Sequence, residues 1–454
     1  MKRKSIYLTT LLAAVTSLTA GEWKMLFNGE TLDGWEVLNG TAPYSVIGDS
    51  IVGVTRHGTR NTFLATKETY GDFILELDFK QDEASNSGVQ FRSLSKKDYQ
   101  DGRVHGYQSE IDPSPRKWTA GIYEEGRRGW LYPVTLNPEA KDLYQHGKWN
   151  HLRIEAIGHS LRTFLNGVPV AHVIDDMIPE GFIALQVHSV RNPEESGKRT
   201  YWKNIRIQTE DLTPSPVDMD LYIRNLIPNH LSEAEKQQGW RLLWDGETTE
   251  GWRGAGKESF PEDGWSIEDG CLVVHESGGG EARHGGDIVT MDEFSAFEFQ
   301  VDFWLSKGAN SGIKYFITEG YNVKGASSIG LEYQLLDDER HPDAKLGVAG
   351  NRTLASLYDL YPSYKTVIGR TVPRPIEKWG HARLIVHPDN RVEHWLEGYP
   401  VLEYDRGSPI LLAAIARSKY VDWEGFGVWP QGHLLLQDHG NLVKFRSIKV
   451  RELK

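Results

Sequence analysis

At 454 residues the chain has room for two or three domains, each able to bury its own core. A formal net charge of −12 runs against a nucleic-acid partner, which needs a basic face. Fifteen tryptophans and 46 glycines describe a turn-rich β protein, and the single cysteine, Cys271, rules out an internal disulfide.

The first elements in chain order are not structural. A basic start (Lys2, Arg3, Lys4) leads into an apolar, small-residue run from Ile6 to Ala20, shorter than a membrane span. Residues 1–21 are therefore expected to be a signal peptide, and the protein to be secreted or periplasmic. No later apolar stretch reaches spanning length, so no transmembrane segment is expected.

From 22 to 209 short segments of period two follow one another: Phe73–Phe79, Gly88–Arg92, His151–Ile157, Gly181–His188 and Trp202–Ile207. Asn166-Gly167 between apolar residues is a hairpin signal. No long amphipathic helix interrupts them, and the pattern predicts a two-sheet antiparallel sandwich. Thr213-Pro-Ser-Pro216 opens a linker over 210–239, where Ser232-Glu-Ala-Glu235 is a capping box for one short helix. A second sandwich is predicted from 240 to 454, with strands at Phe297–Phe303, Gly312–Phe316, His381–Val386 and Val392–Leu396, and an aromatic and basic insertion between Leu402 and Gly432.

The two halves repeat each other. Trp23 to Trp35 returns as Trp240 to Trp252, Asn86-Ser87-Gly88 as Asn310-Ser311-Gly312, and Leu185-Gln186-Val187-His188 as Leu436-Gln437-Asp438-His439. A unit this long is a whole domain, not a solenoid repeat. The richest stretch is Gly106-Tyr-Gln-Ser-Glu-Ile-Asp112. On a strand, Gln108, Glu110 and Asp112 share one face, which no dry core would accept uncompensated. Such a strand can also be a solvated outer face. In the second copy Glu332 and Gln334 occupy the same two positions with acid and amide exchanged, while Asp112 becomes Leu336. His188 and His439 end matched strands two residues after Gln186 and Gln437, and an imidazole beside a carboxylate is an acid–base pair for neutral pH. Arg92, Tyr123 and Arg127 add polar groups to the first copy, and His341, His394, Lys419 and Arg446 to the second. A divalent cation such as Ca²⁺ is compatible with this content, but no spacing marks a metal site. Oligomeric state leaves no mark in the sequence.

Taken together, Leu26-Phe27-Asn28-Gly29 with Gly34-Trp35, Asn86 to Arg92, Glu110-Ile111-Asp112, Gly121-Ile122-Tyr123, Asn166-Gly167 and Leu185-Gln186 with His188 resemble the 3-keto-disaccharide hydrolase family, as do their counterparts in the second copy. The resemblance implies two tandem concanavalin/laminarinase-like jelly-roll β-sandwiches, all-β, each with a carbohydrate site on its concave sheet. It also implies bacterial, extracytoplasmic hydrolysis of 3-keto-glycosides or 3-keto-disaccharides. The catalytic residues would then be Glu110, His188 and Asp112, with Glu332 and His439 in the second copy. Substrate contacts would come from Arg92, Gln108, Tyr123, Arg127 and Gln186, and from Gln334 and Gln437. On this scheme Glu110 or His188 is the base, and Arg92 or a bound cation meets the enolate oxygen. The first copy reads Gln-x-Glu-x-Asp where the family more often has Glu-x-Gln, and the second has Phe316 in place of Arg92. Glu110-Ile-Asp112 also resembles the strand of laminarinase-type glucanases, but the third carboxylate expected there is Ser114. An ordinary β-glucanase-like glycosidase and a non-catalytic tandem carbohydrate-binding protein are the competing expectations.

Overall fold

Between Phe73 and Gln81 the apolar positions alternate, and the segment forms a nine-residue strand with Phe73, Leu75, Leu77 and Phe79 in the core. The same pattern governs the whole chain, whose structure, a computed structural model, describes residues 21–280, 284–318 and 328–454. The expected targeting segment, residues 1–20, lies outside the described residues.

Each half is a pair of antiparallel sheets packed face to face. The first half's site-bearing sheet runs, in hydrogen-bonded order, Gly129–Tyr132, Ile122–Glu125, His105–Ile111, Ser87–Leu94, Phe182–Val187, Thr62–Thr66 and Trp35–Leu38. Its back sheet is built around Phe73–Gln81, Asn150–Ile157 and Arg199–Gln208. In the second half Leu331–Leu336, Asn310–Ile317, Gly432–Leu436, Ile288–Phe294 and Trp252–Gly254 form the site-bearing sheet, and Phe297–Leu305 sits between Trp379–Val386 and Val443–Glu452 at the back.

The repeated Trp-to-Trp segment is a structural device. Asn28 Oδ1 accepts from the backbone N–H of Glu30 and Thr31 (2.8 and 2.9 Å), and Asp245 Oδ1 does the same for Glu247 and Thr248 (2.8 Å each). Gly29 and Gly246 supply the positive φ that follows (87° and 88°). The closing Trp35 then donates its indole N–H to Leu26 O, as Trp252 does to Leu243 O. Asn166-Gly167 makes the expected hairpin, with φ of 52° and 83°; its counterpart Glu397-Gly398 has φ of 53° and 79°.

The linker does more than connect. Arg224–Asn225 adds a parallel strand to the edge Val168–Ile174 of the first back sheet. The expected capping box is present at the helix Glu233–Gln237, and buried Glu235 accepts from Asn225 Nδ2 (2.7 Å) and from Lys449 Nζ. One carboxylate thus joins a strand of the first sandwich to a strand of the second.

Candidate active site

On the strand His105–Ile111, Tyr107 and Ile111 point into the core, so the alternate residues Gln108 and Glu110 face the concave side. A chain of amides fixes them. Ser93 Oγ donates to Gln90 Oε1, Gln90 Nε2 to Gln108 Oε1, and Gln108 Nε2 to Glu110 Oε2, each at 2.6 Å. Asn86 Nδ2 donates to the other oxygen, Glu110 Oε1, also at 2.6 Å. Asn-Ser-Gly is therefore a site motif. Asn86 holds the acid, Ser87 Oγ ties its strand to Gln186 O (2.7 Å), and Gly88 leaves room for Gln108, whose Cδ would lie 2.5 Å from a Cβ there. Burial pushes the Glu110 carboxyl up to about 7, against the lowering effect of the Asn86 and Gln108 hydrogen bonds.

Across the sheet Gln186 pairs with Gly88, which pairs with Glu110, so amide and acid flank one glycine on the same face. Gln186 is 1 % exposed, and neither its Nε2 nor its Oε1 has a partner among the described residues. A buried amide left open in this way is set up to meet a ligand. His188 follows on the same face. Its Nδ1 lies 2.7 Å from Ser189 O, and a carbonyl can only accept, so Nδ1 carries the proton and Nε2 is the free acceptor. Tyr123 stands opposite Gln108 and packs edge-on against Trp130, with ring centres 5.2 Å apart. Its hydroxyl, raised by burial first, stays protonated across the neutral range. These groups line an open cleft of about 700 Å³, the size of a small-ligand site. It shares Asn61, Arg103, Glu125 and Ser189 with a neighbouring depression of about 860 Å³, so the groove has length for more than one sugar ring.

Three expected residues take other places. Arg92 is 1 % exposed and points away from the cleft. Its guanidinium donates to Gly71 O, Gly158 O and Asp72 Oδ1 (2.8 Å each) and to Ala156 O (3.2 Å), which makes it a cross-link between the sheets rather than a substrate contact. Arg127 pairs with Glu124, which also binds Arg128 and through it Asp175; this cluster includes the Tyr107 hydroxyl and lies on the other side of the sheet. Asp112 is buried, with Oδ2 accepting from Arg116 Nε (2.5 Å) and Oδ1 from Ser114 N (3.2 Å). It positions Arg116 and closes a turn, and it is not among the residues that line the cleft. Among the described residues no group of three or more His, Cys, Asp or Glu side chains is arranged to hold a metal ion.

In the second copy Glu332, Gln334, Gln437 and His439 do converge, together with Asn310 and Lys314. Gly312 again makes room, here for Glu332, whose Oε1 would lie 2.3 Å from a Cβ at residue 312. Lys314 replaces Gln90 and is held by Asp287 Oδ2 (3.4 Å) and Ser328 O (3.2 Å). The insertion after Leu402 roofs the site with Lys419, whose Nζ lies 4.3 Å from the Tyr358 ring centre and 5.1 Å from that of Tyr420. The space left is about 60 Å³, room for a water or two and not for a sugar.

The cleft also contains groups that the sequence reading did not single out: Asn61, Arg103, Arg116, Glu125, Arg191 and Arg370. Glu125 was within reach, because Tyr123-Glu-Glu125 alternates as Gln108-Ser-Glu110 does. Arg370 was not, since it comes from the other sandwich.

Comparison with known proteins finds a family match in each half. The model of the 3-keto-alpha-glucoside-1,2-lyase-like domain matches residues 22–208 and 239–451. A protein of Bacteroides thetaiotaomicron named 3-keto-disaccharide hydrolase is 34% identical over 281 residues, covering 56% of this chain and 86% of its own. A crystal structure from Parabacteroides distasonis, provisionally described as a glycosyl hydrolase, is 28% identical with a TM-score of 0.43, over 50% of this chain and 100% of its own. A carbohydrate-binding module from Bacillus subtilis is 20% identical with a TM-score of 0.29, over 41% of this chain and 99% of its own. With the family model matching on both sides of the linker, this chain belongs to the 3-keto-α-glucoside-1,2-lyase-like domain family.

Proposed function

We propose that the first sandwich hydrolyses the glycosidic bond of 3-keto-glycosides or 3-keto-disaccharides by elimination and hydration, and that the second carries no comparable activity. The observation that carries this reading is Glu110. It is a buried carboxyl with a pKa raised to about 7, fixed by two amides and open to a cleft of about 700 Å³.

A ketone at C3 acidifies the hydrogen on C2. Glu110, when ionised, takes that proton, and the electron pair moves to the C3 oxygen, where the open Gln186 Nε2–H is the available donor. The pair then returns and breaks the C1–O bond, and the leaving oxygen takes a proton from the Tyr123 hydroxyl. Water adds to C1 of the unsaturated ketone, losing a proton to His188 Nε2, while the Glu110 carboxyl, having exchanged its proton with the water of the open cleft, protonates C2. The proton on His188 replaces the one given by Tyr123, so the balance is one water consumed and one glycosidic bond cleaved. An ordinary retaining glucanase needs two free carboxyls about 5 Å apart, and the other acid of this cleft, Glu125, is paired with Arg103. Asp112, the second acid of the strand, is committed to Arg116.

The basic start and apolar run of residues 1–20 support a site of action outside the cytoplasm, in the periplasm or beyond.

The test is to incubate the purified protein with a 3-keto-glucoside and with the same glucoside unoxidised. Release of the aglycone from the oxidised compound alone is expected. Cleavage of the plain glucoside overturns the elimination route, and cleavage of neither returns the protein to the class of carbohydrate-binding modules.

A further inference from the structure

The hairpin Thr366–Val367 and Arg370–Thr371 of the second half reaches the cleft of the first. Arg370 places its guanidinium carbon 5.2 Å from the ring centre of buried Trp118, sharing that indole with Arg116 (4.8 Å). It also lies close to Tyr399, whose ring centre is 6.4 Å from that of Trp118. The approach is anchored nearby: Thr135 Oγ1 donates to Gly398 O at 2.8 Å, and Tyr222 packs under Arg383 (4.4 Å) and contacts His381 Nε2 (3.2 Å).

The charges around the cleft are out of keeping with the chain. Four arginines line it against two carboxyls, Glu110 and Glu125, in a protein of net charge −12. Two of the four are neutralised, Arg116 by Asp112 (2.5 Å) and Arg103 by Glu125 (3.4 Å). Arg191 and Arg370 have no carboxylate within 4.0 Å among the described residues. Two uncompensated guanidiniums at a concave groove, Arg370 half-buried and Arg191 exposed, raise a local positive potential in a chain that is acidic as a whole.

We infer that Arg370 is a specificity-determining residue supplied by the second sandwich to the first, and that it selects glycosides whose leaving group carries an anionic substituent such as a carboxylate. This rests on the cleft being the glycoside site, and it gives the second sandwich a task, as a wall of its partner's groove, that needs no chemistry of its own.

Unoxidised glucosides serve as inert probes, so the test does not depend on turnover. Binding of 4-carboxyphenyl and of phenyl β-D-glucoside to the full chain is measured by calorimetry at low ionic strength. The acidic probe is expected to bind about 10-fold more tightly, the scale of one to two kcal/mol of charge complementarity. Raising salt to about 0.5 M shrinks that ratio. Arg370→Gln brings it close to one, Arg370→Lys restores part of it, and Arg191→Gln lowers it independently without touching the hairpin. Equal affinity of the two probes for the unmodified protein, no binding of the acidic probe, or a ratio that survives Arg370→Gln each overturns the inference. None of these results bears on whether a 3-keto-glucoside is cleaved, so the two readings fail separately.

Discussion

Replacing Glu110 by glutamine is expected to lower kcat on a 3-keto-glucoside by about 10²–10⁴-fold, the usual contribution of a positioned general base. The substitution keeps the volume and removes the ability to take a proton, while its amide nitrogen must face the Asn86 or the Gln108 side-chain NH2 in place of an accepting oxygen. The loss belongs in kcat, because Gln186, Tyr123 and Trp130 still shape the cleft. In the unmodified protein the pH dependence follows from the same residue. Burial raises the Glu110 carboxyl to about 7, and a base must be ionised to act. Therefore kcat/KM rises as pH passes upward through about 7 and levels off above it. A profile that falls through the same range would make Glu110 an acid in the rate-limiting step and would require the roles of Glu110 and His188 to be exchanged. Glu332→Gln, in the roofed site of the second half, should leave the rate near that of the unmodified protein. If instead Glu332→Gln removes activity and Glu110→Gln does not, the assignment of the active copy is reversed.

Arg92→Ala is expected to cost about 3 kcal/mol or more of stability, the scale for removing one partner of a buried, hydrogen-bonded charge. Its guanidinium serves three backbone carbonyls and Asp72, and the Gly71, Ala156 and Gly158 carbonyls would lose their donor together. Asp72 itself is half exposed and can rehydrate, so the cost arises mainly from the carbonyls. Denaturant unfolding followed by tryptophan fluorescence measures the loss. A residue that met the enolate oxygen would behave in the opposite way, with kcat collapsing and stability nearly unchanged. That outcome would put Arg92 back in the cleft.

The position of Arg92 also shows where sequence reasoning reached its limit. Arg92 and its counterpart Phe316 both sit in the left-handed region, with φ of 42° and 57°, at a bulge that re-aims the side chain. Period-two alternation assigns Arg92 to the concave face with Gln90, and only the bulge turns it inward. In the second copy Phe316 fills that space and Arg406 stacks on it at 4.0 Å, so the exchange is one structural solution for another and says nothing about the chemistry.

Where the alternation is unbroken, the sequence was sufficient. Gln108 and Glu110 share a face because no bulge interrupts His105–Ile111, and Gln186 follows the same rule on a strand two places away, with His188 just past its end also lining the cleft. The recurrence of Asn-Ser-Gly in both copies marks it in the sequence, but its purpose is not visible there, since Asn86 and Gly88 act on residues twenty or more positions later. Asp112 leaves the face of Gln108 and Glu110 for a local reason. The strand ends at Ile111, and past its end the carboxylate is captured by the turn and by Arg116. Arg370 and the roof of Lys419 over Tyr358 and Tyr420 were beyond reach, because both depend on how distant segments pack and not on the pattern of any one of them.

The central claim is that bond cleavage begins with loss of the C2 proton to Glu110. The measurement is the fate of that hydrogen when a 3-keto-glucoside is cleaved in deuterated water, followed by NMR at initial rates against an enzyme-free control. Elimination and hydration predict that the released sugar carries deuterium at C2 as fast as the aglycone appears, and that Glu110→Gln abolishes both together. Release of the aglycone with the original hydrogen still on C2 would contradict the account.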